Sequence, residues 1–317
     1  MVKMRADFKV SDPDLTVYGC SSHYLNVLGC DITVKSVVNQ VVEVNKYFRN
    51  RHRPNALLTA CNGAVKPALP CATRWNSQID CLQSYITNRP FMIGIVSDEN
   101  NDIEANIAKI ILNIHLYKEV KSHVEQLSPI AKALDNAQSD SCGIADTCQD
   151  WVALCTNEQL EPVRSKVIKR FSQAMTEAHF LANLLHPHYL GHNLSPDQKE
   201  KGMGLLESRD AKFVPLLYQL HAGTEPFPAR LFTEQCKSMG PSVWYKCVKS
   251  QNTELEEFCL MAIGYMNMPA SSAAVERVFS TFSHVQTKVR NRLGAQRHGK
   301  LVACFRSLRG QHDHDSW

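Results

Sequence analysis

The 317-residue sequence is short of several features that would announce a function. It has no run of about 18 uncharged apolar residues, so no membrane-spanning helix is expected. The start, Met1-Val-Lys-Met-Arg-Ala-Asp7, lacks the apolar stretch of a signal peptide. Cysteine is not scarce, at 12, but no two cysteines have Cys-x-x-Cys spacing. With no export signal, reduced thiols inside the cell are the expectation. There is no Walker-type loop, no Rossmann glycine pattern and no Gly-x-Ser-x-Gly elbow. Readings as a nucleotide-dependent enzyme or a hydrolase therefore have nothing to rest on, and no small-molecule substrate is expected. Repeats and low-complexity tracts are absent, and strand signal is thin.

What remains is an ordinary soluble composition: 44% apolar, 21% charged, formal charge +4. A chain of this length buries enough surface to hold a core without disulfides. The best short β-rich run is Leu15-Thr-Val-Tyr-Gly19. Helical periodicity dominates elsewhere. It predicts one helix from His23 to about Phe48, a loop over 53–70, and helices over 75–96, 102–136, 146–156, 159–185 and 196–220. Residues 221–250 read as irregular because of Pro226, Pro228, Gly240 and Pro241. A capping box, Thr253-x-x-Glu256, opens a helix that stops before Pro269. Ser271 or Ser272 caps the next, whose Val275, Val278, Phe279, Phe282 and Val285 make one apolar stripe. Gly294 ends it, and a last helix carries Leu301, Val302, Phe305 and Leu308 before a loose tail over 311–317.

Chemistry concentrates near the C-terminus. Glu276 lies on a polar stripe with Ser280, Ser283 and Thr287, where a carboxylate can hold a divalent cation or simply complement the helix dipole. Arg277, Lys288, Arg290, Arg292, Arg297, Lys300, Arg306 and Arg309 follow with no acid until Asp313. That run suits either a phosphate-contacting surface or a solvated one. Cys20 and His23 are half of a possible zinc site, with His186 and His188, or His312 and His314, as second pairs. None of these has finger spacing, so no metal is expected. Arg74 and Trp75 could contact phosphate and stack on an unpaired base, or sit in the core with the arginine reaching out to solvent.

The segment Met268-Pro-Ala-Ser-Ser-Ala-Ala-Val-Glu-Arg-Val-Phe-Ser280, with Lys288-Val-Arg-Asn-Arg-Leu293 and Lys300-Leu-Val302, resembles the C-terminal signature of hAT-family transposases. Tyr18-Gly-Cys20-Ser-Ser-His23 is similar to that family's Cys-x-x-His element, and Ala72-Thr-Arg74-Trp75-Asn76-Ser77 to its Thr-Arg-Trp-Asn-Ser element. Asn183-Leu-Leu-His-Pro-His-Tyr-Leu-Gly191 resembles a further stretch, and Ser242-Val-Trp244-Tyr245 stands where relatives carry paired tryptophans.

The resemblance implies a mainly α protein: an incomplete RNase H-like α/β core remnant interrupted by a large all-helical insertion. It implies a core remnant at 1–35, the insertion at 36–240 and a dimerisation region at 241–310. It makes Glu276 the third member of an Asp-Asp-Glu triad. Arg74, Trp75, Arg277, Lys288, Arg290 and Arg292 become DNA contacts, and Val275, Val278, Phe279, Phe282, Leu301, Val302 and Phe305 a dimer surface. In the family both catalytic aspartates precede the Cys-x-x-His element. Here Met1-Val-Lys-Met-Arg5 aligns with the end of the second aspartate's segment. The expectation is a truncated, nuclear, non-catalytic protein that pairs with itself or a related hAT protein, with non-specific DNA binding as a second property. Mg²⁺ or Mn²⁺ would enter only if a longer form supplied the aspartates. The alternative is a partial sequence of an active DDE-type transposase.

Overall fold

The computed structural model describes residues 7, 8, 10–12, 15–71, 75–285 and 300, with the side chains of 234, 237 and 280–285 excepted. Among them regular structure is helical: α1 (Ser21–Ile32), α2 (Lys35–Asn50), α3 (His52–Thr59), α4 (Ser77–Ser97), α5 (Ala105–Leu112), α6 (Ile114–Gln138), α7 (Ile144–Thr156), α8 (Arg164–Ala174), α9 (Glu177–Leu185), α10 (Pro196–Asp210), α11 (Val214–Ala222), α12 (Pro241–Gln251), α13 (Glu256–Met266) and α14 (Ala273–Val285). The mainly α expectation holds. No strand occurs among the described residues, and an isolated bridge joins Gly143 to Pro269.

Two packed groups share one core. In the first, α1 lies on α6 and α8, and α4 lies on α6 and α2. In the second, α9 sits between α10, α7 and α13, and α12 packs on α13. The buried apolar set runs without interruption from Leu25 to Ala270. The 240/241 boundary falls at the start of α12, whose Trp244 and Tyr245 are buried. Trp244 Nε1 donates to the Leu231 carbonyl at 2.8 Å, and the Tyr245 hydroxyl donates to the Leu185 carbonyl at 2.5 Å. Phe213, Phe227 and Phe258 complete an aromatic cluster that ties α12 and α13 to the chain before them.

Several sequence expectations are corrected. The run Leu15–Gly19 forms no strand; its side chains instead tie it to other elements. Arg209 donates to Thr16 Oγ1 at 2.6 Å, and the Tyr18 hydroxyl donates to the Pro269 carbonyl at 3.1 Å. The expected single helix over 23–48 is two. It breaks at Thr33–Val34, where Trp75 Nε1 donates to Thr33 Oγ1 (3.2 Å) and the Val34 N–H donates to His123 Nε2 (3.1 Å). The expected loop over 53–70 contains α3, since Pro54 stands in its first turn, where a missing N–H costs nothing. Pro241 likewise starts α12 inside a segment expected to be irregular. The long helices over 102–136, 159–185 and 196–220 are each divided. Asn113 caps α6 with its side chain, and Thr176 opens α9. At 252–256 the cap is Asn252, whose side chain accepts from the Glu254 N–H, rather than Thr253.

The C-terminal signature enters this core through its backbone. The Ile144 N–H donates to Met268 O, the Ala270 N–H to Cys142 O, and the Ser21 N–H to Ala270 O, each at 3.0 Å. Met268–Ala270 therefore fastens the start of α7 to the start of α1. A second tight contact lies where Trp75 covers Gly29: a Cβ there would come within 2.2–2.6 Å of the indole. Gly29→Ala is expected to cost about 1–3 kcal/mol by overpacking. Gly204 in α10 has nothing within 4 Å of its Cβ position, so Gly204→Ala should gain about 0.5–1 kcal/mol. Urea unfolding of the two variants measures both, and a stabilised Gly29→Ala protein would contradict the packing described.

Candidate functional site

Glu276 stands in the first turn of α14, where its charge suits the helix N-terminus. Its carboxylate accepts the Ser272 hydroxyl at 2.7 Å, and the Cys20 sulfur lies 3.6 Å from the same hydroxyl oxygen. Two of the resembling motifs thus meet at one serine. His23, the other half of the Cys-x-x-His element, is exposed and lies edge-on to Tyr24.

Glu276 lines a cleft of about 750 Å³ that Asn26, Asn76, Asp80, Asp135 and Arg277 also border. The Thr-Arg-Trp-Asn-Ser element builds its near wall. Trp75 is 4% exposed and fixed on Thr33, Asn76 donates to Asp135 Oδ1 at 2.6 Å, and the Ser77 hydroxyl accepts from the Cys71 N–H at 2.6 Å. Each described side chain of the element anchors a different part of the fold. Base stacking needs an open ring face; Trp75 is largely buried with its indole against Gly29, the core placement that the sequence also allowed. Arg74 lies outside the described residues.

Burial raises the Asp135 carboxyl above its ordinary pKa, the Asn76 amide opposes this, and the Asp80 charge adds to it. Neither aspartate was singled out by sequence. Their two helices, α4 and α6, are far apart in the chain, and no local spacing links them to Glu276. Among the described residues, no three His, Cys, Asp or Glu side chains converge closely enough to hold a metal ion. Mg²⁺ keeps its water unless several oxygens converge, and Asp80, Asp135 and Glu276 border the same cleft without forming such a group among the described residues.

Arg277 is engaged within the chain. It donates to the Gln138 carbonyl at 2.9 Å and pairs with Asp140. A phosphate at Arg277 would have to compete with that carboxylate. Lys288, Arg290, Arg292, Leu301, Val302 and Phe305 lie outside the described residues, as does the Phe282 side chain. Of the expected dimer stripe, Val275 is 55% exposed, Phe279 66% exposed and Val278 half-buried.

Of the histidines considered as zinc ligands, His312 and His314 lie outside the described residues, and His186 and His188 pack against each other. His186 is buried and stacked on Tyr189 with ring centroids 3.9 Å apart, and its Nδ1 accepts the His188 N–H at 3.2 Å. The Tyr189 hydroxyl donates to Asp146 Oδ1 at 2.8 Å. Burial, with His188 adding to it, lowers the His186 pKa to about 3. His179, whose Nδ1 accepts the Thr176 N–H, is lowered to about 4 by burial.

Residues 225–308 match the family model described as the hAT family C-terminal dimerisation region. No curated protein matches the chain. The match covers α12, α13 and α14, so these helices lie in a segment similar to the hAT family C-terminal dimerisation region. It supports an hAT-family transposase-derived protein, and dimerisation with a second copy or a related hAT protein.

The buried histidines set a pH dependence. The unfolded chain takes up their protons near pH 6.5, whereas the folded chain does so only near 4 and 3. Stability is complete above pH 6.5 and is lost as the pH falls from there toward 4. Unfolding free energies measured across that window should decline with acidity, and His179→Asn should flatten the decline. A slope unchanged by that substitution would show that His179 does not remain neutral in the folded chain.

Proposed function

We propose that the chain is a transposase derivative that acts by protein association and has no strand-cleaving activity of its own. The observation that carries the reading is the 225–308 match together with the exposed stripe of α14, where Val275 and Phe279 face solvent to more than half their area. Burying such side chains contributes about 1.5–3 kcal/mol each, and a C2 contact uses the same patch twice. Leu301, Val302 and Phe305 extend the surface in sequence. The non-catalytic part rests on the carboxylates: Glu276 is held by Ser272, and no metal-holding group forms among the described residues. The RNase H-like origin of residues 1–35 rests on the Cys20–His23 resemblance and on the contact of Cys20 with Ser272. Sedimentation velocity over a concentration series should give a dimer, and Val275→Glu with Phe279→Glu should raise its Kd at least about tenfold. A monomer at all concentrations would remove the reading.

The acid-free run from Arg277 through Lys288, Arg290 and Arg292 to Arg309 supports a second property, DNA binding through phosphates, and with it residence in the nucleus. Arg277 participates if DNA displaces Asp140. Neutralised phosphates release counterions, so affinity should fall with salt at a slope of roughly −0.9 per contact. Reversing Lys288, Arg290 and Arg292 to Glu should lower both affinity and slope. With Mg²⁺ or Mn²⁺ present the same DNA should stay intact; metal-dependent nicking lost in Glu276→Gln would establish the transposase reading instead.

A further inference from the structure

The exposed side of α13 carries a surface that the α14 stripe does not explain. From Phe258 to Val275 the sequence holds no charged residue. In α13 that segment turns Phe258, Cys259, Ala262, Tyr265 and Met266 into the core. It leaves Leu260 51% exposed and Gly264 exposed, with Met261 and Ile263 half-buried beside them. Water-facing helix surfaces ordinarily carry charge, and an exposed glycine inside a helix costs about 1 kcal/mol relative to alanine. Gly264 receives no compensation from the described residues, none of which lies within 4 Å of its Cβ position. Gly94 and Gly204 are also open in helices, but neither lies in the segment matched as a dimerisation region. Methionine, as at 261 and 268, adapts well to a protein surface.

We infer that the Leu260–Gly264 face of α13 is itself part of the dimer contact, where it receives α13 of a second copy in an antiparallel, two-fold-related pair. The inference rests on the dimerisation reading above and adds to it a second contact and its geometry. Leu260 and Gly264 are one helical turn apart on one face. A two-fold axis between them sets each Leu260 against the partner's Gly264, a side chain into a gap, and self-complementarity of this kind is what an isologous interface requires. A glycine at the crossing brings the helix axes toward the close end of the 8–10 Å range.

The test is sedimentation velocity of the full chain, with thermal melting as a control for folding. Gly264→Leu fills the gap and should raise the dimer Kd at least about tenfold while leaving the melting of the monomer unchanged or improved. Adding Leu260→Ala in the same chain moves the side chain and the gap to each other's places, and should recover most of the affinity. That recovery is the outcome a merely disturbed helix would not give. If Gly264→Leu leaves the Kd unchanged while Val275→Glu raises it, dimerisation stands and the α13 contact is wrong. If the double variant dimerises no better than Gly264→Leu, the antiparallel pairing is overturned. A lower melting temperature with unchanged Kd would place another part of the same chain on this face, against the inference. A wild-type monomer would defeat both readings together.

Discussion

Three backbone hydrogen bonds at Met268–Ala270 hold the architecture together. They are ordinary bonds of 3.0 Å, each worth about 0.5–1.5 kcal/mol net, yet they join segments from three widely separated parts of the sequence. The amide of Ile144 and the carbonyl of Cys142 lie at the mouth of α7, and the amide of Ser21 belongs to the first turn of α1. Both helices begin without a side-chain cap on these donors, and one orphan N–H at each N-terminus is satisfied by the 268–270 segment instead. Proline at 269 suits the place: it has no N–H to satisfy, and its carbonyl takes the Tyr18 hydroxyl. The segment then delivers Ser272 beside Cys20 and Glu276 into the cleft wall.

This arrangement gives the recognisable motifs a physical content. The Trp75-Asn76-Ser77 turn is a three-way anchor: indole to Thr33, amide to Asp135, hydroxyl to the Cys71 backbone. Gly29 is required because its hydrogen lets the indole lie flat on α1. Trp244 and Tyr245 are similarly structural, each donating to a backbone carbonyl from within an aromatic cluster. The polar ends of these buried rings need partners, and the fold supplies main-chain oxygens.

How much of this was legible in the sequence follows from the range of the interactions. The helical class and the apolar faces were readable, because periods of three and four residues are local. So was the C-terminal region, through a long signature. The helix breaks at Thr33–Val34 and at Asn113 were not, since hydrogen bonds from Trp75, His123 and the Asn113 side chain decide them. Prolines 54 and 241 were read as interruptions, although a proline in a first helical turn is compatible with either outcome. At the candidate site, Glu276 was found by resemblance, whereas Asp80 and Asp135 join it only through the packing of α4 on α6. Trp75 illustrates the same limit: an aromatic beside an arginine suits a binding surface and a core equally until Gly29 is seen beneath it.

The bond between Ser21 and Ala270 has a consequence for how the protein is made. A ribosome releases residue 21 long before it has polymerised residue 270, so α1 waits through most of synthesis with its first amide unpaired. Over that interval the nascent chain can bury Leu25 and Leu28 against α6 and α8, but the start of α7 lacks its closing segment. Completion of the fold is thereby tied to translation of the region that also carries the partner-binding helices. A message cut short before codon 268 would yield a product lacking α14 with its Val275 and Phe279, and left with an open amide at each helix mouth, a natural substrate for proteolysis.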